Sequence, residues 1–185
     1  MPFGFGGSKK MLYDVRQRPQ AIYFNGKVFI GYKGGGTKPA DGGRERVAPT
    51  YAMLLSYEPS TRQFSTPVKF GETTSDHHDC PVIWADKDDF LHFLYRCHNE
   101  PGIHLVAKQS GAMGEKESDW MVLPDIAPML SYPTAYRLYD DSDLIYYRTG
   151  GHSSSWSYRI TRDNGRNWIG PEDDVTNLDL INFPE

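Results

Sequence analysis

Cysteine is scarce in this chain. Cys80 and Cys97 are the two among 185 residues, too few for a disulfide scaffold, although one bridge between them stays open. Long apolar runs are missing as well. No stretch approaches the roughly 20 residues that span a bilayer, and the opening Met1-Pro2-Phe3-Gly4-Phe5-Gly6-Gly7 has neither the charged nor the apolar region of a signal peptide. The expectation is a soluble protein with no membrane partner and no visible address. Positive charge is not in excess either: 20 Lys and Arg against 24 Asp and Glu leave a net charge of −4. That argues against nucleic acid as a partner, because phosphate neutralisation needs concentrated Lys and Arg. What the chain does hold is aromatic and turn-forming residues: 14% aromatics with 12 Tyr, beside 18 Gly and 13 Pro. This is the composition of short strands and many turns.

Three segments share one plan: Ala21 to Lys33, Val82 to Arg96, and Ala135 to Arg148. Each reads as a strand, a polar turn (Asn25-Gly26, Asp86 to Asp89, Asp140 to Asp143) and a second strand ending in Tyr followed by Lys or Arg. A further pair of strands is expected after each hairpin: Tyr51 to Tyr57 with Thr66 to Phe70, Ile103 to Lys108 with Trp120 to Leu123, and Ser155 to Ile160 with Trp168 to Gly170. The repeats start 61 and 53 residues apart, and four-stranded units near this period are the pattern of β-propeller blades. A Gly-rich insertion from Gly34 to Val47 lengthens the first and is expected as a rim loop. The predicted fold is all-β: one partial propeller over 1–185, with about three four-stranded antiparallel blades near 16–70, 78–124 and 132–170. Three blades cannot close a ring of typically 4 to 8. A fragment of a longer propeller is favoured over self-association through open edges.

Thr161-Arg162-Asp163-Asn164-Gly165-Arg166-Asn167-Trp168 matches the Asp-box pattern. Its Asp can accept turn amides, its Gly can take positive φ and its Trp can pack on the blade, so its role is expected to be structural.

Chemistry concentrates around the second hairpin. Asp76, His77, His78 and Asp79 precede it, and Arg96, His98 and Asn99 follow it. The two ends of a hairpin lie at the same sheet edge, so His78 and His98 are expected side by side, and imidazole is the side chain that titrates nearest neutral pH. Tyr132 and Arg148 hold the matching positions one blade later, as a phenol and an anion clamp. A second set, Cys80, His92, Cys97 and His104, raises a structural Zn²⁺ or Ca²⁺, without CxxC or HxxxH spacing to support it. His152, among serines, reads as a loop residue.

Asp-His-His-Asp-Cys-Pro (76–81), Tyr-Arg-Cys-His-Asn (95–99), Ser-Tyr-Pro (131–133), Tyr-Tyr-Arg-Thr-Gly (146–150) and the Asp-box together resemble the BNR-repeat proteins, which include seven-bladed propeller ulvan lyases. The likeness runs from about Arg16 to Trp168. It departs at His77 and Asp79, where those lyases carry Asp and Asn, and at Cys97. The resemblance implies β-elimination on a uronic-acid-containing, ulvan-like anionic polysaccharide, without a required cofactor, by a secreted or periplasmic protein. It assigns catalysis to His78, His98, Tyr132 and Arg148. Arg148 and a histidine would neutralise the uronate carboxylate, and His78 and Tyr132 would serve as base and acid. Arg96, Lys33, His77 and Asn99 would bind further substrate groups. Two other readings compete. A non-catalytic carbohydrate-binding propeller would use Trp84, Trp120 and Trp156 as platforms. A sialidase-like hydrolase would need three clustered arginines, a set that cannot be assembled here.

Overall fold

The structure is a computed structural model that describes residues 17–35, 49–76, 78–151 and 153–171. Its strands form three antiparallel sheets. The first contains β1 (Ala21–Phe24), β2 (Lys27–Gly34), β3 (Thr50–Glu58), β4 (Gln63–Phe64) and β5 (Val68–Thr74), with both β4 and β5 paired to β3. The second contains β6 (Val82–Ala85), β7 (Leu91–Tyr95), β9 (Ile103–Ala107) and β10 (Trp120–Val122). In the third, β11 (Leu130–Arg137), β12 (Asp143–Arg148) and β13 (Trp156–Thr161) are joined by β8 (His98–Glu100), which pairs with β11. A 3₁₀ turn at Glu117–Asp119 precedes β10. No helix among the described residues is long and apolar enough to cross a membrane.

Strand alternation explains how the sheets stack. All five residues of β7 are buried, so its two faces must both be covered. Leu91, Phe93 and Tyr95 point to the first sheet, where they join Phe29, Leu54, Val68 and Phe70. Phe70 stacks on Phe93 with ring centroids 4.5 Å apart and meets Trp120 edge-on at 5.3 Å. Leu94 points the other way and packs with Val82, Trp84, Leu130, Ala135, Ile145 and Tyr147 of the second and third sheets. Burying such side chains contributes about 1.5–3 kcal/mol each.

Two features were not expected from the sequence. The segment Gln17–Gln20 makes backbone hydrogen bonds to all three sheets. Gly31 N donates to Gln20 O (2.7 Å), Ile83 N to Pro19 O (2.9 Å) and Ala135 N to Arg18 O (2.7 Å). The second is β8, not among the strands expected from the pattern, which leaves the second sheet's hairpin to pair His98 with Ser131 of the third. Smaller shifts also occur. The last strand of the first unit is Val68–Thr74, and the strand expected at Trp168–Gly170 is a single bridge from Ile169 to Ile160. The Gly-rich insertion lies outside the described residues beyond Gly35.

Register fixes what lies at each end. Val82 faces Leu94, Ser131 faces Arg148 and Arg148 faces Trp156. The loop before β6, the segment after β7, the start of β11 and the end of β12 therefore share one rim. The hairpin turns and the Asp-box lie at the opposite rim.

Candidate active site

The loop between β5 and β6 is tied at both sides of Asp76. Asp76 N donates to Thr74 Oγ1 (3.1 Å), and Thr74 Oγ1 donates to Asp79 Oδ2 (3.0 Å). Asp76 Oδ1 accepts the His78 backbone N–H at 2.9 Å, the Asx-type turn to which short carboxylates are suited. Lys33 Nζ donates to the Asp76 carbonyl, and Gln17 Nε2 to the His78 carbonyl.

The imidazoles then converge on one carboxylate. His78 Nδ1 lies 2.8 Å from Asp76 Oδ1 and His98 Nδ1 lies 2.6 Å from Asp76 Oδ2. The rings are 4.3 Å apart between centroids. Tyr132 meets them at 5.8 and 5.9 Å, and the Arg148 guanidinium lies over the Tyr132 ring at 4.4 Å. Arg148 Nε also donates to Gly150 O at 2.7 Å. Tyr132 holds φ 57°, unfavourable for an aromatic residue, and Arg96 and Asn99 beside it hold φ 61° and 60°. Left-handed residues cluster at sites that surrounding structure over-determines.

The four expected catalytic residues are thus adjacent, but they differ in depth. The His78 and His98 side chains are each 19% exposed, whereas Tyr132 is 0% and Arg148 4% exposed. The histidines front the site and the phenol–guanidinium pair lies behind them. Arg96 is exposed. Asn99 is exposed and engaged with Ser131, whose Oγ accepts from Asn99 N (2.9 Å) and donates to Asn99 Oδ1 (3.1 Å). Lys33, expected to meet substrate anions, is buried, and its ammonium supports the Asp76 loop instead. His77 and His152 lie outside the described residues.

Electrostatics follow from burial and these contacts. Burial raises the Asp76 carboxyl, but the His78 amide and both imidazoles outweigh it and hold the group down at about 2. Burial pushes Asp79 up against the opposing pull of Lys33, and it pushes Lys33 down.

The Cys/His set expected as a metal candidate does not converge. Among the described residues, the group of three potential ligands whose atoms lie within 4.8 Å of one another is Asp76, His78 and His98. Cys80 and Cys97 are buried and not joined in a disulfide, and burial drives the Cys97 thiol well above its ordinary range. His92 and His104 belong to the packing between the second and third sheets. His92 Nε2 lies 3.1 Å from Asp86 Oδ2, its Nδ1 lies 2.9 Å from His104 Nε2, and both rings stack on Trp84. Burial and the neighbouring His92 lower His104 well below the usual histidine range. The even positions of β7 face the third sheet, which is why His92 points into a core and away from the rim.

Asp76 is one of the polar residues expected at this rim, with no role assigned to it by residue type alone. Its signal was an Asp two residues before a His, the spacing of an Asx turn. Gln17 carried no signal, because only the chain path brings it to the His78 carbonyl.

Proteins named ulvan lyase from Alteromonas sp. (strain LOR) and Pseudoalteromonas sp. (strain PLSV) are 25% and 24% identical to this chain over 177 and 181 residues. Each match covers 85% of this chain and 34% of the relative, so the chain spans about a third of the length of these relatives. A solved polysaccharide lyase described as an ulvan lyase bound to -[GlcA(1-4)Rha3S]- matches with a TM-score of 0.72 at 21% identity. That match covers 90% of this chain and 39% of that one. The shared fold identifies the three sheets as successive blades of a partial β-propeller. Residues 48–175, most of the chain, match the model of the BNR repeat-containing family, and the protein belongs to that family.

Proposed function

We propose that this chain carries the proton-transfer site of a polysaccharide lyase that cleaves a uronic-acid-containing, ulvan-like polymer by β-elimination. The observation that carries the reading is the convergence of His78, His98, Tyr132 and Arg148 at one rim, with the imidazole rings 4.3 Å apart and the guanidinium one ring behind them. The relatives named ulvan lyase support the substrate class. A polymer of that kind is met outside the cytoplasm, so a secreted or periplasmic location belongs to the same reading.

The C5–H of a uronate is weakly acidic while its carboxylate keeps full charge. The fixed cation of Arg148, helped by His98, offsets the charge that develops as C5 loses its proton. His78 and Tyr132 exchange the protons: one takes H from C5, the C4–C5 double bond forms, the C4–O4 bond breaks, and the other delivers a proton to the departing O4. The Arg148 guanidinium packs over the Tyr132 ring at 4.4 Å, so the phenol and the cation are held as one unit behind the histidines. Exposed Arg96 suits further anionic groups along the polymer.

The complete burial of Tyr132 favours a second reading of the proton path, in which the two histidines alone exchange protons and Tyr132 supports Arg148. Ultraviolet absorbance of the unsaturated uronate product, measured on ulvan, tests both. The wild-type chain is expected to generate that chromophore and His78→Asn to lose about 10²–10⁴-fold of the rate. Tyr132→Phe falls by a similar factor if the phenol moves a proton and stays within about tenfold if it only supports Arg148. New reducing ends without the chromophore would mean hydrolysis, and retention of polymer without either product would mean a binding propeller.

A further inference from the structure

We infer that Asp76 is the positioning residue of the imidazole pair: its carboxylate pins the Nδ1–H of both His78 and His98, so that the Nε2 atoms are left to carry proton traffic. The inference rests on the reading of these histidines as proton-transfer groups, and it adds a residue that the family likeness left without a role. The geometry is specific. Two oxygens of one carboxylate each meet a different imidazole through Nδ1, at 2.8 and 2.6 Å, and the same Oδ1 is fixed by the His78 amide at 2.9 Å.

An ionised carboxylate only accepts hydrogen bonds, so both Nδ1 atoms must be the protonated ones. A neutral ring held this way exposes Nε2 as a lone pair, which is the state a base needs. A ring that meets a substrate carboxylate must donate, and therefore carries a second proton on Nε2 with Asp76 as its counter-ion. One carboxylate thus serves both tasks without changing its own hydrogen bonds. Lys33 and Gln17 support this by holding the backbone carbonyls of Asp76 and His78. A second carboxylate, Asp79, is turned away to Thr74.

Asp76→Asn keeps size and shape but can accept from only one Nδ1–H through its carbonyl oxygen. Its amide N–H groups then confront the other ring, whose Nδ1 must give up its proton. The comparable Asp→Asn change in a catalytic triad lowers kcat about 10⁴-fold by imposing the wrong tautomer.

The test is a long-range ¹H–¹⁵N spectrum of ¹⁵N-histidine-labelled protein at neutral pH, with resonances assigned through His78→Asn and His98→Asn. In the wild type both Nδ1 atoms are expected to be protonated, and in Asp76→Asn one ring is expected to lose Nδ1–H. With ulvan as substrate, the same variant is expected to lose about 10²–10⁴-fold in kcat with KM within a few-fold. A bare Nδ1 on either ring of the wild type would overturn the inference, as would an unchanged spectrum in Asp76→Asn. Titration with Zn²⁺ supplies the other decisive outcome: if stoichiometric metal shifts both Nδ1 signals and a chelator abolishes turnover, the three side chains are ligands and the pinning role is wrong. Because the wild-type spectrum needs no substrate, failure of the lyase reading would show as absent turnover with the tautomers in place.

Discussion

Asp76 and His104 show how placement sets the proton balance of single residues. Asp76 is held at about 2 against an ordinary 3.8, so its contribution to stability is complete above pH 3.8 and is lost as pH falls toward 2. Acid titration of wild type and Asp76→Asn by circular dichroism should show the two stability curves converging over that window. His104 works with the same sign at higher pH. Its folded pKa lies well below 6.5, so the unfolded chain takes up a proton that the fold refuses, and stability falls as pH drops below 6.5. The slope approaches about 1.4 kcal/mol per pH unit for this one group. Urea denaturation between pH 6.5 and 5 should show a shallower slope in His104→Gln; an equal slope would mean that the wild-type ring is already charged in the fold.

At the scale of elements, the Asp-box and the Gln17–Gln20 segment link the blades. In the Asp-box, Thr161 Oγ1 donates to Asp163 Oδ1 (2.9 Å), Asp163 Oδ1 accepts from Asn167 N (2.9 Å), and Trp168 packs edge-on against His104 at 5.9 Å. Gly165 takes φ 79°, and a Cβ there would come within 2.7 Å of His104 Cε1. Gly165→Ala is expected to lower unfolding stability by about 1–3 kcal/mol, read by denaturant midpoint. The segment Gln17–Gln20 accepts from amides in all three sheets, so the Gly31, Ile83 and Ala135 amides should exchange hydrogen slowly in the intact chain. In a chain starting at Ala21 they should exchange faster together.

Strand content was readable because alternation and Asn-Gly or Asp-rich turns are local signals. The adjacency of His78 and His98 was readable because a hairpin returns to its own end. The swing of β8 into the neighbouring sheet and the reach of Gln17 were not readable, since both are set by tertiary packing. His92 has the residue type of a metal ligand, but its place on the core-facing side of β7 emerges only from the packing.

For the whole molecule, the second blade links the other two, since its strand β7 is buried on both faces and contributes to both inter-sheet cores. Phe93→Ala is expected to cost about 3–5 kcal/mol and to loosen the first blade from the second. The rim chemistry depends on that stacking, since Asp76 and His98 follow strands of different blades. The measurement that bears most directly on the proposed reaction is the mass of the oligosaccharides released from ulvan by this chain. β-Elimination should yield a new uronate end one water lighter than hydrolysis would leave, absent with His78→Asn. Products carrying that extra water, or unchanged yield from His78→Asn, would contradict a lyase built on this rim.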